Sequence, residues 1–194
     1  EDQGMSQRMW DRGTRWLHCG LSLAVTFQLF VSLVMEVPQP GLRPQALGLQ
    51  GFRAHKGVGA VLIAIVLLHW LWTLRRAHGQ AIRHLFPWGR FGRAEIVQDL
   101  RNLKGGKLPE GGPGGGLPGF VHGLGFLAVT GMAASGGLLL LLSADGSGAP
   151  LLREVANLHA ALANVVWLYW LGHVGMVIVH ESHGHRILAG IFRP

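Results

Sequence analysis

Charge is what this sequence has least of for its length. Only 14% of its 194 residues are Asp, Glu, Lys or Arg, against about 25% in an ordinary soluble domain. The shortfall is uneven. Four long apolar runs carry almost no charge, and the charges sit between them. That pattern excludes a water-soluble globular domain and reads as membrane, in line with a mean hydropathy of +0.32. Cysteine is scarce too. The single one, Cys19, excludes an internal disulfide and every paired-cysteine motif, and inside an apolar run it reads as a small packing residue. Acidic residues number 10 against 17 basic ones, for a formal net charge of +7. In a soluble protein such an excess would suit nucleic acid. Here the basic residues flank apolar runs, which is bilayer orientation, and no nucleic-acid partner is expected.

What is present is an all-α membrane protein, predicted as a four-transmembrane-helix bundle in one domain. Span one runs from about Trp16 to Met35, span two from His55 to Leu74, span three from Phe120 to Leu142 and span four from Val155 to Val179. Each has roughly the 20 or more apolar residues that a hydrocarbon core requires. Pro38, Pro40, Gly41 and Pro44 end span one, and Arg75-Arg76 end span two. The first run lacks a small-residue cleavage pattern, so it reads as a span that stays. Glu1-Asp2-Gln3-Gly4, ahead of Met5, reads as a cloning remnant. In the polar stretch between spans two and three, Ile96, Val97, Leu100 and Leu103 recur at helical spacing among charges. They predict a short interfacial amphipathic helix. Gly111-Gly112-Pro113-Gly114-Gly115-Gly116 follows, and residues 111–119 are expected as a flexible glycine-rich linker.

Helices alternate direction, so the N-terminus, the loop between spans two and three, and the C-terminus share one side. All but four of the 17 Lys and Arg lie there; Arg43, Arg53, Lys56 and Arg153 lie on the other. The bias predicts both termini in the cytoplasm and a bacterial inner-membrane location.

Eleven histidines are many for this length, and His18, His55, His69, His122, His159, His173 and His180 lie in or at the ends of apolar spans. Intramembrane ionisable groups are costly and usually mark function. His55 and His69 are 14 apart on span two, as are His159 and His173 on span four. Fourteen residues return a side chain to within about 40° of its starting direction and move it about 21 Å along the helix. Each pair thus projects from one helix face at two depths, the arrangement that two stacked haems need. A tetrahedral zinc site needs ligands converging at one depth. No C-x-x-C-H is present for covalent attachment, so b-type haem with imidazole axial ligands is the reading. By depth, His18, His69 and His173 form an inner set, and His55 and His159 an outer one. The inner set has three candidates for two coordination places.

Arg15-Trp16-Leu17-His18, His55-Lys56-Gly57-Val58-Gly59, and His159-Ala160-Ala161-Leu162-Ala163-Asn164 leading to Gly172-His173 carry a family resemblance. The chain resembles the bacterial cytochrome b561 group, related to the cytochrome b subunits of membrane hydrogenases and formate dehydrogenases. The resemblance covers roughly Arg15 to His180. It implies two haem b groups, one held by His18 and His173, the other by His55 and His159. It also implies quinone as an electron-transfer partner. His69 stands where such proteins commonly have an arginine or an apolar residue, which keeps it in competition with His18. The family places no iron ligand on span three, leaving His122 for packing or a propionate contact.

The implied function is electron transport across the membrane, respiratory-chain style, between the quinone pool and a surface partner. That partner is a dehydrogenase, hydrogenase, c-type cytochrome or superoxide. Nothing resembles a flavin, nicotinamide or iron–sulfur site. The alternative is a non-redox transporter or anchor whose intramembrane histidines bind protons or metal. Trp70, Trp72, Trp167, Tyr169 and Trp170 suit either a porphyrin face or the interfacial belt, to which Trp16 and Trp88 also fall. Arg15, Arg53, Lys56 and Arg75 suit either propionates or topology. Small residues, Gly119, Gly123, Gly131, Gly136, Gly137, Gly172 and Gly175 among them, suit close helix packing first and cofactor space second. His78 and His84 are expected in a solvated loop, and His180, His183 and His185 at an exposed polar terminus.

Overall fold

Polar residues do not end a helix; caps and turns do. That difference accounts for most departures of the structure from the hydropathy pattern. The computed structural model describes residues 11–39, 41, 43–75, 80–108, 116–144, 149–184 and 187–192, and among these it is helical with no strand. The elements are α1 (Arg12–Val31), α2 (Ala46–Arg75), α3 (Gln80–Leu85), α4 (Arg90–Lys104), α5 (Gly116–Ala144), α6 (Ala149–Ser182) and α7 (Ile187–Phe192). Among the described residues, three are long and apolar enough to cross a membrane: α2, α5 and α6. Over its 20 residues, α1 is interrupted by Arg15, His18 and Gln28, which lower its apolar character.

The helix starts are set by specific polar groups. Asp11 opens α1. Its carboxylate accepts the Thr14 N–H at 3.0 Å and the Thr14 hydroxyl at 2.5 Å, so the helix begins four residues before the expected Trp16. It ends at Val31 in a turn rather than at Met35. Glu36 prepares the start of α2, accepting the Gln45 N–H at 2.7 Å. The helix then runs from Ala46, well before His55, because Arg53 and Lys56 do not break the hydrogen-bond ladder. At 30 residues α2 is about 45 Å long, longer than a hydrocarbon core of about 30 Å.

The glycine-rich linker requires correction. Residues 111–115 lie outside the described residues, but 116–119 form the first turn of α5. Gly116 adopts φ +66°, a conformation open to glycine. Asp99 of α4 accepts the Leu117 N–H at 2.8 Å, and Pro118, with no N–H to satisfy, suits a first turn. The amphipathic helix is present as α4, with Val97, Leu100 and Leu103 each about half exposed. The short helices α3 and α7 are additions that the hydropathy pattern does not reveal.

The chain divides into two compact units. One contains the described residues up to Cys19, His69–Phe126 and those from Leu171 onward; the other contains Gly20–Leu68 and Leu127–Trp170. In the first, Trp72 donates to Asp11 at 3.2 Å and fills the space beside Gly13, where a Cβ would collide with the indole. Gly123 similarly admits the Leu85 carbonyl. In the second, Leu62, Val66, Val129, Ala133, Val155 and Val166 are buried. Gly131 and Gly137 bring α5 against Leu162 of α6 and Ile63 of α2, so these glycines serve packing. Trp170 donates to Thr26 at 3.0 Å, and the Trp167 and Trp170 rings pack edge-on against Phe30.

Burial is inverted relative to a soluble protein. Leu23, Leu168 and Ile178 are 72%, 75% and 63% exposed, while Thr73, Ser135 and His180 are buried. Apolar side chains facing outward in such numbers match lipid as solvent.

Candidate cofactor site

In the second unit, α2 presents His55 and α6 presents His159. Their ring centroids are 6.3 Å apart with planes at 89°. A metal–imidazole bond is about 2 Å, and a ring nitrogen lies about 1.1 Å from its ring centre. Two imidazoles on opposite sides of one metal therefore have centroids about 6 Å apart. The pair has that spacing. Its surroundings also prepare it. His159 Nδ1 lies 2.8 Å from Ser135 Oγ, and the Ser135 hydroxyl donates to the Gly131 carbonyl at 2.8 Å. With that proton committed, Ser135 accepts from Nδ1–H, which leaves His159 Nε2 with the lone pair that a metal takes. Gly136 gives the ring its place: a Cβ there would stand 3.2 Å from His159 Cε1. Gln28 donates to the His55 carbonyl at 2.9 Å. Nδ1 of His55 and Oε1 of Gln28 are buried without a hydrogen-bond partner among the described residues. A buried polar atom left this way costs about 1–3 kcal/mol, so each calls for a further partner, an ordered water or a bound group.

In the first unit, α1 presents His18 and α6 presents His173, again with centroids 6.3 Å apart, the planes at 56°. A third imidazole joins them. His122 of α5 lies 5.1 Å from His173, centroid to centroid, and donates Nδ1–H to the Pro118 carbonyl at 2.7 Å. One nitrogen of each of His18, His122 and His173 falls within 4.8 Å of the others. His69 does not belong to that group. Its ring packs on Phe126 at 4.7 Å, and its Nδ1 is buried without a partner among the described residues, as is Nδ1 of His18. Both pairs fit axial ligation of a porphyrin by their spacing. At the second pair the His122 ring stands close by as well.

The remaining candidates separate by surroundings. Trp16 and Trp88 are exposed, as an interfacial belt requires, whereas Trp70 packs on Phe126. Arg53, Lys56 and Arg75 are exposed, and Lys56 Nζ lies 4.9 Å over the Phe52 ring. At the end of α6 the expected exposed terminus holds for His183 but not for His180, which is buried within the last turns of the helix. His78 and His185, and the side chain of His84, lie outside the described residues. Ser135 escapes the sequence reading. Its one signal is a hydroxyl in an otherwise apolar run, a residue type that bonds across membrane helices.

A helical chain with an apolar exterior and half-buried, paired imidazoles has the features of a membrane protein that holds a metal cofactor. A family model for prokaryotic cytochrome b561 matches residues 9–194, and the chain belongs to that family. The family is one of haem b membrane electron-transfer proteins. No curated protein and no solved structure matches the chain.

Proposed function

We propose that this chain is a di-haem cytochrome b that carries electrons across the bacterial inner membrane between the quinone pool and a surface redox partner. The observation that supports it is the repeated 6.3 Å separation of two imidazole pairs, His55–His159 and His18–His173. His55 and His159 are the outer ligands, and His18 and His173 the inner ones. When bound, haem would supply a one-electron couple, and these four histidines would hold it by their imidazoles. The residues here orient and enclose. Ser135 fixes the tautomer and ring direction of His159. Gly136 leaves the ring its space. The apolar spans exclude water. In this reading the chain is one domain, α1 is the fourth span, α4 lies on the membrane surface, and the basic side carrying both termini is cytoplasmic. Quinone exchanges electrons near the inner haem, and a dehydrogenase, hydrogenase or c-type cytochrome near one surface completes the route.

The test is a reduced-minus-oxidised spectrum and a haem count on the purified full chain. A b-type alpha band with two haems per chain is expected, with His55→Ala and His159→Ala each leaving one. A folded, colourless chain ends the reading.

A further inference from the structure

We propose that His18, His122 and His173 together form a site for one divalent transition-metal ion, and that this ion and the inner haem exclude one another. The 14-residue spacings argue for haem because paired ligands at two depths cannot converge on zinc. That argument does not cover His122, which comes from a different helix. The three imidazoles arrive from α1, α5 and α6, all three are half-buried, and one nitrogen of each lies within 4.8 Å of the others. Tetrahedral zinc holds nitrogens at about 2.0–2.1 Å, so its ligands stand about 3.4 Å apart. The gap to close is at most about 1.4 Å, a distance within the reach of imidazole rotation about its side-chain bonds. His122 also carries the support typical of a metal ligand. Its Nδ1–H is engaged by the Pro118 carbonyl at 2.7 Å, which directs the Nε2 lone pair away from that bond. Three neutral imidazoles with a fourth position left to water are a known zinc donor set, and imidazole suits copper and nickel as well.

Exclusion follows from geometry. Axial nitrogens on opposite sides of one iron are about 4 Å apart. A nitrogen within 4.8 Å of both lies no more than about 3 Å out of the porphyrin plane and directly over the macrocycle. That is inside the contact distance of about 3.5 Å between non-bonded atoms. His122 therefore shares the space with His18 and His173, or a porphyrin does, but not both. A bound ion holds His122 in; a porphyrin turns it out. The exclusion rests on His18 and His173 being the haem ligands, whereas the ion site itself does not.

The test is zinc binding by the full chain in detergent, prepared with and without haem. The haem-free chain is expected to bind one zinc ion per chain. His122→Ala weakens this at least tenfold, His183→Ala at the exposed end of α6 leaves it unchanged, and haem loading abolishes it. Equal zinc binding by wild type and His122→Ala, or by loaded and haem-free chain, overturns the proposal. Should the haem-free chain lose its helical circular dichroism, the competition is run in reverse. Loaded protein in excess zinc is expected to release its inner haem faster than His122→Ala does, and equal rates overturn the proposal. A chain without porphyrin that still binds zinc through His122 sinks the haem reading and spares this site. A two-haem chain whose zinc binding ignores His122 does the opposite.

Discussion

Ser135 and His159 are joined by a 2.8 Å hydrogen bond from α6 to α5, and the same hydroxyl is anchored to the Gly131 carbonyl. A helix without a proposed iron ligand thus decides which nitrogen of His159 carries the proton and which keeps the lone pair. Ser135→Ala removes that control. Loss of an outer partner of a metal ligand typically costs 10–100-fold in affinity. The expected outcome is a fall of about tenfold in affinity for the outer haem, with the inner haem unchanged, read as haem retained per chain during extraction by a haem acceptor. Retention equal to wild type shows that Ser135 does not position the ligand.

Gly136 is a steric test of the same ring. A Cβ there stands 3.2 Å from His159 Cε1, so Gly136→Val must displace the imidazole. Haem content is expected to drop by one per chain. Gly175→Ala, on α6 where a Cβ meets nothing within 4 Å, serves as the control. It is expected to keep both haems and to gain up to about 1 kcal/mol of helix stability.

His69 separates the two inner assignments. Its ring faces Phe126, while His18 stands opposite His173. His69→Ala is expected to keep two low-spin haems, and His18→Ala to lose the low-spin signal of the inner one in electron paramagnetic resonance. The reverse result would make His69 the ligand.

Asp99 ties α4 to the start of α5 through the Leu117 N–H. Replacing a helix cap by alanine costs about 1 kcal/mol, and the lost carboxylate also leaves the positive end of the α5 dipole without its anion. Asp99→Ala is expected to lower the thermal midpoint by a few degrees in detergent while leaving haem content unchanged. An unchanged midpoint would show that the cap contributes nothing in the whole protein.

The apolar runs, the amphipathic α4 and the 14-residue histidine spacings were legible in the residues because hydropathy and helical period are local properties. A buried span must be apolar wherever its neighbours stand, and two positions 14 apart share a face in any helix. Boundaries were less legible. Asp11, Glu36 and Asp99 set them by hydrogen bonds that hydropathy does not register, and the α5 cap comes from a residue 18 positions away.

The amino-acid order alone determined that His55 and His69 lie along one helix face, as do His159 and His173. Only the tertiary structure decided that His159 meets Ser135, that His69 turns to Phe126, and that a nitrogen of His122 comes within 4.8 Å of one on each of His18 and His173. The reason is physical. Spacing fixes direction within a helix, but which side chain on the next helix it meets depends on how each helix is rotated about its axis. That rotation is set by the summed packing of many small contacts, among them those at Gly131, Gly136 and Gly137.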